Sequence, residues 1–417
     1  IDMKKSLIIL VIIGLCIGSI FILTKDKKVK EDIKTKDKVM VNLVDKDVNE
    51  VDKLLGNLKF DIKYNYVYSD EYAKDVIISQ SIKEGTTITS TDNELVLEVS
   101  KGKLDKEKLK NDGINEMGKV AVMMYHGIVN KKNSETKYTG GNVDKDGYTR
   151  TSEAFANDLE EFYQKGYRMI SLNDYINGNI TTEYGKSPIV ITFDDGNANN
   201  ILVKGLDDNG NIIIDENSAV GILEQFKKKY PDYNVTATFF VTGALFNQPE
   251  YNEKILNWLV DNGYDVGNHT KTHLNIGNSK ASQVQYEIAY VYKQLDNIIP
   301  NKYVKIIALP FGSPLRKTHE NFPYVLKGQD EDYSYETNAA LRVGWEPEVS
   351  SYSKEFDKTY IKRCRGYDNN GKEFDIEMIL KMLDRSRYVS DGDANTIVTS
   401  SVQEDNIITT DKEIILY

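Results

Sequence analysis

From residue 119 onward, short apolar runs rich in β-branched side chains recur between segments whose apolar residues have helical spacing, and no other feature restricts the fold as strongly. Strand-like runs fall at 120–125, 168–172, 189–193, 235–241, 265–268 and 304–309, and helix-like segments near 219–229, 251–262 and 281–298. Parallel strands need long crossovers, usually helical, so this alternation predicts an α/β unit with a parallel sheet, and a barrel is the favoured closure. One repeat shows the local logic. Thr151 and Ser152 can cap a helix with Phe155, Leu159 and Phe162 on one face, and Gly166 can end it before the next strand. The polar insert 205–217, with Asn209-Gly210 at its turn, reads as a surface hairpin.

At 417 residues the chain exceeds one ordinary core, so at least two folded units are expected. Residues 7–23 carry no charge and are just long enough for a membrane-spanning helix, which makes an anchor the preferred reading over a cleaved signal or a lipidated Cys16. Residues 1–6 would then be a cytoplasmic stub, and the Lys, Asp and Glu-rich stretch 24–38 a solvated stalk. Lysines flank the apolar run on both sides, so charge does not orient it. Residues 39–102 read as a small α+β unit, with a helix near 48–55 and strands at 60–66, 76–79 and 95–100. Its segments 76–88 and 95–102 resemble a PASTA module, a type associated with peptidoglycan, although Ile82 stands where that family usually has proline. A spacer that binds nothing is the competing reading. Residues 103–118 read as a second linker, leaving 119–417 as the catalytic candidate. The net charge of −11 excludes a broad electrostatic footprint for nucleic acid. Two cysteines, Cys16 and Cys364, cannot form a disulfide framework.

The strand at 189–193 runs directly into Asp194-Asp195-Gly196, so two carboxylates emerge at a strand's C-terminal end, where barrel enzymes build their sites. Alone, Asp-Asp-Gly is a common turn. His269 and His273 stand four residues apart, a spacing that lets both imidazoles face one divalent ion from a helical turn; alone, this too is a weak signal. Together, Thr192-Phe193-Asp194-Asp195-Gly196 and His269-Thr-Lys-Thr-His273 resemble the NodB-type polysaccharide deacetylases, carbohydrate esterase family 4, over about residues 120–402. The resemblance implies a distorted (β/α)7 barrel, Asp194 as catalytic base, and Asp195, His269 and His273 as ligands of a divalent metal, Zn²⁺ by default for this donor set. It also implies that Leu309-Pro310-Phe311-Gly312 supplies an oxyanion donor from the Phe311 N–H.

Two departures shape the rest of the reading. Ala308 occupies the place where many members carry an arginine beside the base, and residues 396–401 lack the late histidine that usually serves as acid. His126, ending the strand at 120–125 within Tyr125-His126-Gly127, resembles the opening motif of the permuted poly-β-1,6-N-acetylglucosamine deacetylases and is the candidate acid. A packed or capping histidine is its alternative. Trp345 is a candidate substrate wall, with core packing as the plainer role; Arg363, Arg365, Asp391 and Asp393 could serve substrate binding, with solvated or structural roles as the default, and His319 reads as surface. The leading expectation is therefore a membrane-anchored hydrolase, single-pass with its catalytic domain extracellular, that removes N-acetyl groups from peptidoglycan N-acetylglucosamine or N-acetylmuramic acid. A secreted poly-N-acetylglucosamine is the second substrate considered, and a non-catalytic wall-binding protein the third reading.

Overall fold

The computed structural model describes residues 38–89 and 94–417. The expected stub, anchor and nearly all of the stalk lie outside the described residues. Among the described residues no helix is long and apolar enough to cross a membrane. The chain divides into two units, one ending at Asp105 and one spanning Lys106–Tyr417.

In the first unit the strand Glu94–Ser100 lies centrally, parallel to Asp61–Val67 and antiparallel to Ile77–Gln80. Leu95, Leu97 and Val99 alternate onto one face, as a half-buried strand dictates, and pack against Val51 and Leu55 of the short helix Val51–Leu55. Ile82 packs against this same core. The helix is preceded by the tight 3-10 turn Val48–Glu50, which begins where the Asp47 side chain accepts from the Asn49 N–H.

The second unit is built on parallel strands ordered Ala339–Leu341, Ile306–Ala308, Asp265–Asn268, Thr238–Val241, Ser187–Phe193, Ala121–Tyr125 and Cys364–Arg365, with Tyr167–Met169 also on Ser187–Phe193. The sheet curls until its ends meet. Ile361, just ahead of the last strand, donates to the Ala340 carbonyl at 2.9 Å and accepts from the Arg342 N–H at 2.9 Å. Both faces are covered, which is why these strands read as continuous apolar runs. Met123, Tyr125, Ile191 and Phe193 face the helix layer, while Val122 and Val190 face a second core with Phe240, Ala308 and Leu341. The helices Ala219–Lys229 and Ala281–Ile298 and the hairpin of Val203–Leu206 with Ile212–Ile214 fall where the sequence places them. The Thr151 hydroxyl caps Ser152–Gln164 by accepting from the Ala154 N–H at 3.0 Å.

Three expectations need correction. The run at 168–172 is a strand only over Tyr167–Met169, because Ser171 accepts from the Asp174 N–H and starts the helix Leu172–Asn177. The stretch read as linker joins the second unit from Lys106: it forms the helix Lys106–Asn111, and Glu116 is buried among Tyr388, Ser390 and Val398. His269 and His273 do not share a helical turn; they lie in the loop after Asp265–Asn268, with Thr270 (φ 61°) and His273 (φ 58°) both left-handed.

Candidate active site

The chemistry converges where strand ends meet on one face of the curled sheet. In the pairing of Ala121–Tyr125 with Ser187–Phe193, Tyr125 stands opposite Phe193, and the Asp194 N–H donates to the Tyr125 carbonyl at 2.9 Å. His126 and Asp194 are therefore level on adjacent strands. The chain turns sharply after Asp194 because Asp195 (φ 76°) and Gly196 (φ 62°) are both left-handed. A Cβ on Gly196 would stand 2.0 Å from the Leu245 carbonyl oxygen, so only glycine fits there.

Asp194 is 2 % exposed, and a lone buried carboxylate would be strongly disfavoured as an anion. Arg363 removes that penalty. Fully buried, it donates from Nη1 to Oδ1 at 2.7 Å and from Nη2 to Oδ2 at 2.6 Å. Its Nε–H reaches the Arg342 carbonyl at 3.1 Å and its Nη1 the Thr192 hydroxyl at 3.2 Å, so the guanidinium plane is fixed. Burial alone would raise the Asp194 carboxyl; the facing guanidinium outweighs it and holds Asp194 well below the usual carboxylate range. Of the roles the sequence leaves open for Arg363, the solvated one is excluded and the structural one holds. No local pattern marks it: it precedes a two-residue strand in the polar run Lys362-Arg363-Cys364-Arg365, and only closure of the sheet brings it under Asp194.

Asp195, His269 and His273 do meet: their ligand atoms lie within 4.8 Å of one another. Asp195 Oδ1 is 3.3 Å from His269 Nε2 and 3.5 Å from His273 Nε2. Metal–nitrogen bonds of ~2.0–2.1 Å in a tetrahedron place donors roughly 3.3 Å apart, so the spacing fits one divalent ion. Proton placement fits as well. His269 Nδ1 is 2.8 Å from the Ala308 carbonyl, which only accepts, so in the neutral ring Nδ1 carries the hydrogen and Nε2 presents a lone pair. Asp195 Oδ1 and His269 Nε2 are both buried without a hydrogen-bond partner, as expected for atoms reserved for a cation.

The histidine loop is held from behind by Glu287 of the helix Ala281–Ile298, 3 % exposed, which accepts from the Thr272 N–H at 2.7 Å and the Thr272 hydroxyl at 2.8 Å. Asn268 accepts from the Thr270 N–H at 2.8 Å. Neither support is announced by the sequence, since Glu287 lies 15 residues downstream on another element.

His126 is half-buried at the same centre; burial holds its imidazole below the ordinary histidine range against the pull of Asp194 and Asp195. Phe311 (φ 59°) turns its ring toward His273, with centroids 4.5 Å apart, and stays 61 % exposed. Trp345 is 52 % exposed, so it is not a core residue. Its loop runs beside the site: a Cβ on Gly312 would lie 3.0 Å from the Val343 nitrogen, and one on Gly344 would lie 2.8 Å from the Arg363 nitrogen. His319 accepts locally from the Asn321 N–H and stays apart from the cluster.

Residues 181–323 match the family of polysaccharide deacetylases, and residues 38–101 match the PASTA domain. The chain thus carries a polysaccharide deacetylase domain and a PASTA domain. Over 81 residues, 19 % of this chain, it is 30 % identical to a chitooligosaccharide deacetylase of Bradyrhizobium sp. (strain ANU 289), spanning 35 % of that relative's length. Among solved structures it is similar to the Streptococcus pyogenes deacetylase PplD in complex with acetate, at 16 % identity and a TM-score of 0.44 over 63 % of this chain and 98 % of that one. It is also similar to IcaB from Ammonifex degensii, at 17 % identity and a TM-score of 0.37 over 59 % and 91 %.

Proposed function

We propose that the protein hydrolyses the N-acetyl groups of a bacterial polysaccharide, with peptidoglycan N-acetylglucosamine or N-acetylmuramic acid as its substrate, held at the cell surface by the apolar segment 7–23. One observation carries the reading: a carboxylate kept ionised by a buried arginine adjoins, in sequence and in space, a second carboxylate whose unpartnered oxygen faces two imidazoles. The first has no ligand role to fill and is free to act as a base.

Asp195, His269 and His273 would hold the divalent ion, Zn²⁺ by donor type. When bound, such an ion polarises an acetyl carbonyl and lowers the pKa of a water toward ~7. Asp194 is placed to take a proton from an attacking water, since each of its oxygens keeps a second lone pair after pairing with Arg363. Arg363 fixes the base in one orientation and prevents it from resting protonated. The Phe311 N–H donates to the developing oxyanion, and His126 hands a proton to the departing sugar nitrogen. The PASTA domain ahead of the catalytic unit favours wall glycan as the polymer. Its role here is to keep the enzyme on the wall.

A poly-N-acetylglucosamine substrate is the second reading, favoured by an acid on the first strand and by Ala308 beside the metal ligands. Acetate release from isolated cell wall and from β-1,6-linked N-acetylglucosamine oligomers separates the two. Asp194→Asn protein should bind metal and release no acetate, and His126→Ala should keep metal and lose most activity. Protein that purifies without metal and releases acetate from neither polymer would overturn the enzymatic reading in favour of a wall-binding role.

A further inference from the structure

Above the ion pair of Asp194 the protein builds a second layer that the chemistry just described does not use. Arg363 and Arg365, two residues apart in an extended segment, project to the same side. Arg363 closes on Asp194, whereas the Arg365 guanidinium lies between two rings, 4.4 Å from the centroid of Tyr148 and 4.2 Å from that of Tyr367. Tyr148 in turn meets the His126 ring edge-on, with centroids 5.0 Å apart. A continuous row of planar groups, Tyr367, Arg365, Tyr148 and His126, therefore leads outward from the reacting centre.

This ledge is rigid. The Asp144 carboxylate accepts from the backbone N–H groups of Asp146 (3.0 Å), Tyr148 (3.2 Å) and Thr149 (2.7 Å), and Arg365 donates to the Asp146 carbonyl. Behind the turn, buried Arg150 binds Asp158 at 2.6 Å and Asn142 and Asp368 at 3.1 Å. Such a platform needs no ordering when a ligand arrives. Tyr148 is nevertheless 42 % exposed.

Arg365 also forms one wall of a cleft of about 260 Å³ bordered by Tyr138, Asn142, Asp146, Tyr367 and Asp368. The size lies just below the ~300–1,000 Å³ of sites for drug-sized ligands, so it suits a single ring. Cations and carboxylates are mixed along its walls, and Asp368 is already paired with Arg150, so neither sign of charge dominates. Mixed donors and acceptors suit a neutral, polyhydroxylated ring; the exposed Tyr148 ring is not part of the cleft wall and adjoins it through Arg365, against whose guanidinium it packs.

We propose that this ledge is the subsite for the neutral pyranose next to the sugar that loses its acetyl group. Tyr148 stacks on the apolar face of that ring, and Arg365 with the cleft walls binds its hydroxyls. The proposal rests on the glycan deacetylase reading and names the part of the polymer that the enzyme grips.

Binding to Asp194→Asn protein tests it without turnover. Calorimetric titration with β-1,4-linked N-acetylglucosamine tetrasaccharide and with the monosaccharide should show that adding Tyr148→Ala weakens the tetrasaccharide about tenfold, the factor ~1.4 kcal/mol of lost stacking gives. Tyr148→Phe should bind like its parent, Arg365→Ala should behave like Tyr148→Ala, and monosaccharide binding should not change. In the active protein, Tyr148→Ala should raise KM for the tetrasaccharide while kcat stays within twofold of its parent. Equal loss for both ligands, or none for either, would overturn the subsite. Tetrasaccharide binding that depends on Tyr148, in a wild-type protein that releases no acetate, would instead sink the deacetylase reading and leave the subsite standing.

Discussion

Replacing Arg363 by methionine keeps most of the side-chain volume and removes only the charge that faces Asp194. Both partners are buried, at 0 % and 3 % side-chain exposure, so removing one strands the other, and breaking such a pair costs ~3–5 kcal/mol. The sign of the pH dependence follows from the shift. In the wild type the folded carboxyl is depressed, so its contribution to stability is present above its unfolded value of ~3.9 and is lost only as pH falls through the folded value. Without the guanidinium, burial is the leading influence and raises the carboxyl instead. The variant should then be least stable relative to wild type near neutral pH, and the gap should narrow as pH falls through the variant's raised folded value, because Asp194 titrates alike in the two unfolded chains and cancels from the comparison. Chemical denaturation of the metal-free protein from pH 3 to 8 reads this directly. Adding Asp194→Asn removes the stranded charge, so the double variant should lose less stability than the two single losses summed. In the metal-loaded enzyme the acid limb of the kcat profile should move to higher pH, because a protonated Asp194 accepts nothing. A destabilisation that is flat with pH and additive with Asp194→Asn, together with an unmoved acid limb, would refute the claim that Arg363 keeps the base ionised.

Two further outcomes follow from the packing around the site. Glu287→Ala should leave the Thr272 N–H and hydroxyl unpaired, costing ~1–3 kcal/mol in thermal or denaturant unfolding, and should weaken metal affinity ~10–100-fold by loosening the histidine loop, as competition with a chelator would report. Burial, followed by the charge of Asp391, pushes the Glu116 carboxyl up to about 8, so the folded state binds the extra proton between its ordinary 4.5 and 8 and stability falls as pH rises through that window. Glu116→Gln should flatten this slope by up to ~1.4 kcal/mol per pH unit in denaturant melts; an unchanged slope would show that Glu116 is already ionised in the folded protein.

Much of this protein is local enough to be read from residues in order. Continuous apolar runs between helix-spaced segments specify strands buried on both faces, and capping residues such as Thr151 and Ser218 mark where helices begin. Asp194, Asp195, His269 and His273 are legible because each pair lies within five residues of chain, at strand ends that a parallel sheet brings to one side. Their backbone was not legible: the spacing of His269 and His273 suits a helical turn, but Asn268 and the distant Glu287 hold the loop with two left-handed residues instead. Arg363 was hidden for the same reason. It lies 169 residues from Asp194, and a charged residue in a polar run reads as solvated until the sheet closes and buries it. The extended linker reading failed similarly, because Glu116 gains its partners only when residues near 390 return beside it, and Lys108 of the helix Lys106–Asn111 meets Tyr184, 76 residues away. Sequence alone pointed to the side chains that meet at the candidate site and to the alternation that brings them together. The tertiary structure decided which distant charge keeps the base ionised and which loop geometry aims the ligands, because both depend on burial and contacts between segments remote in the chain.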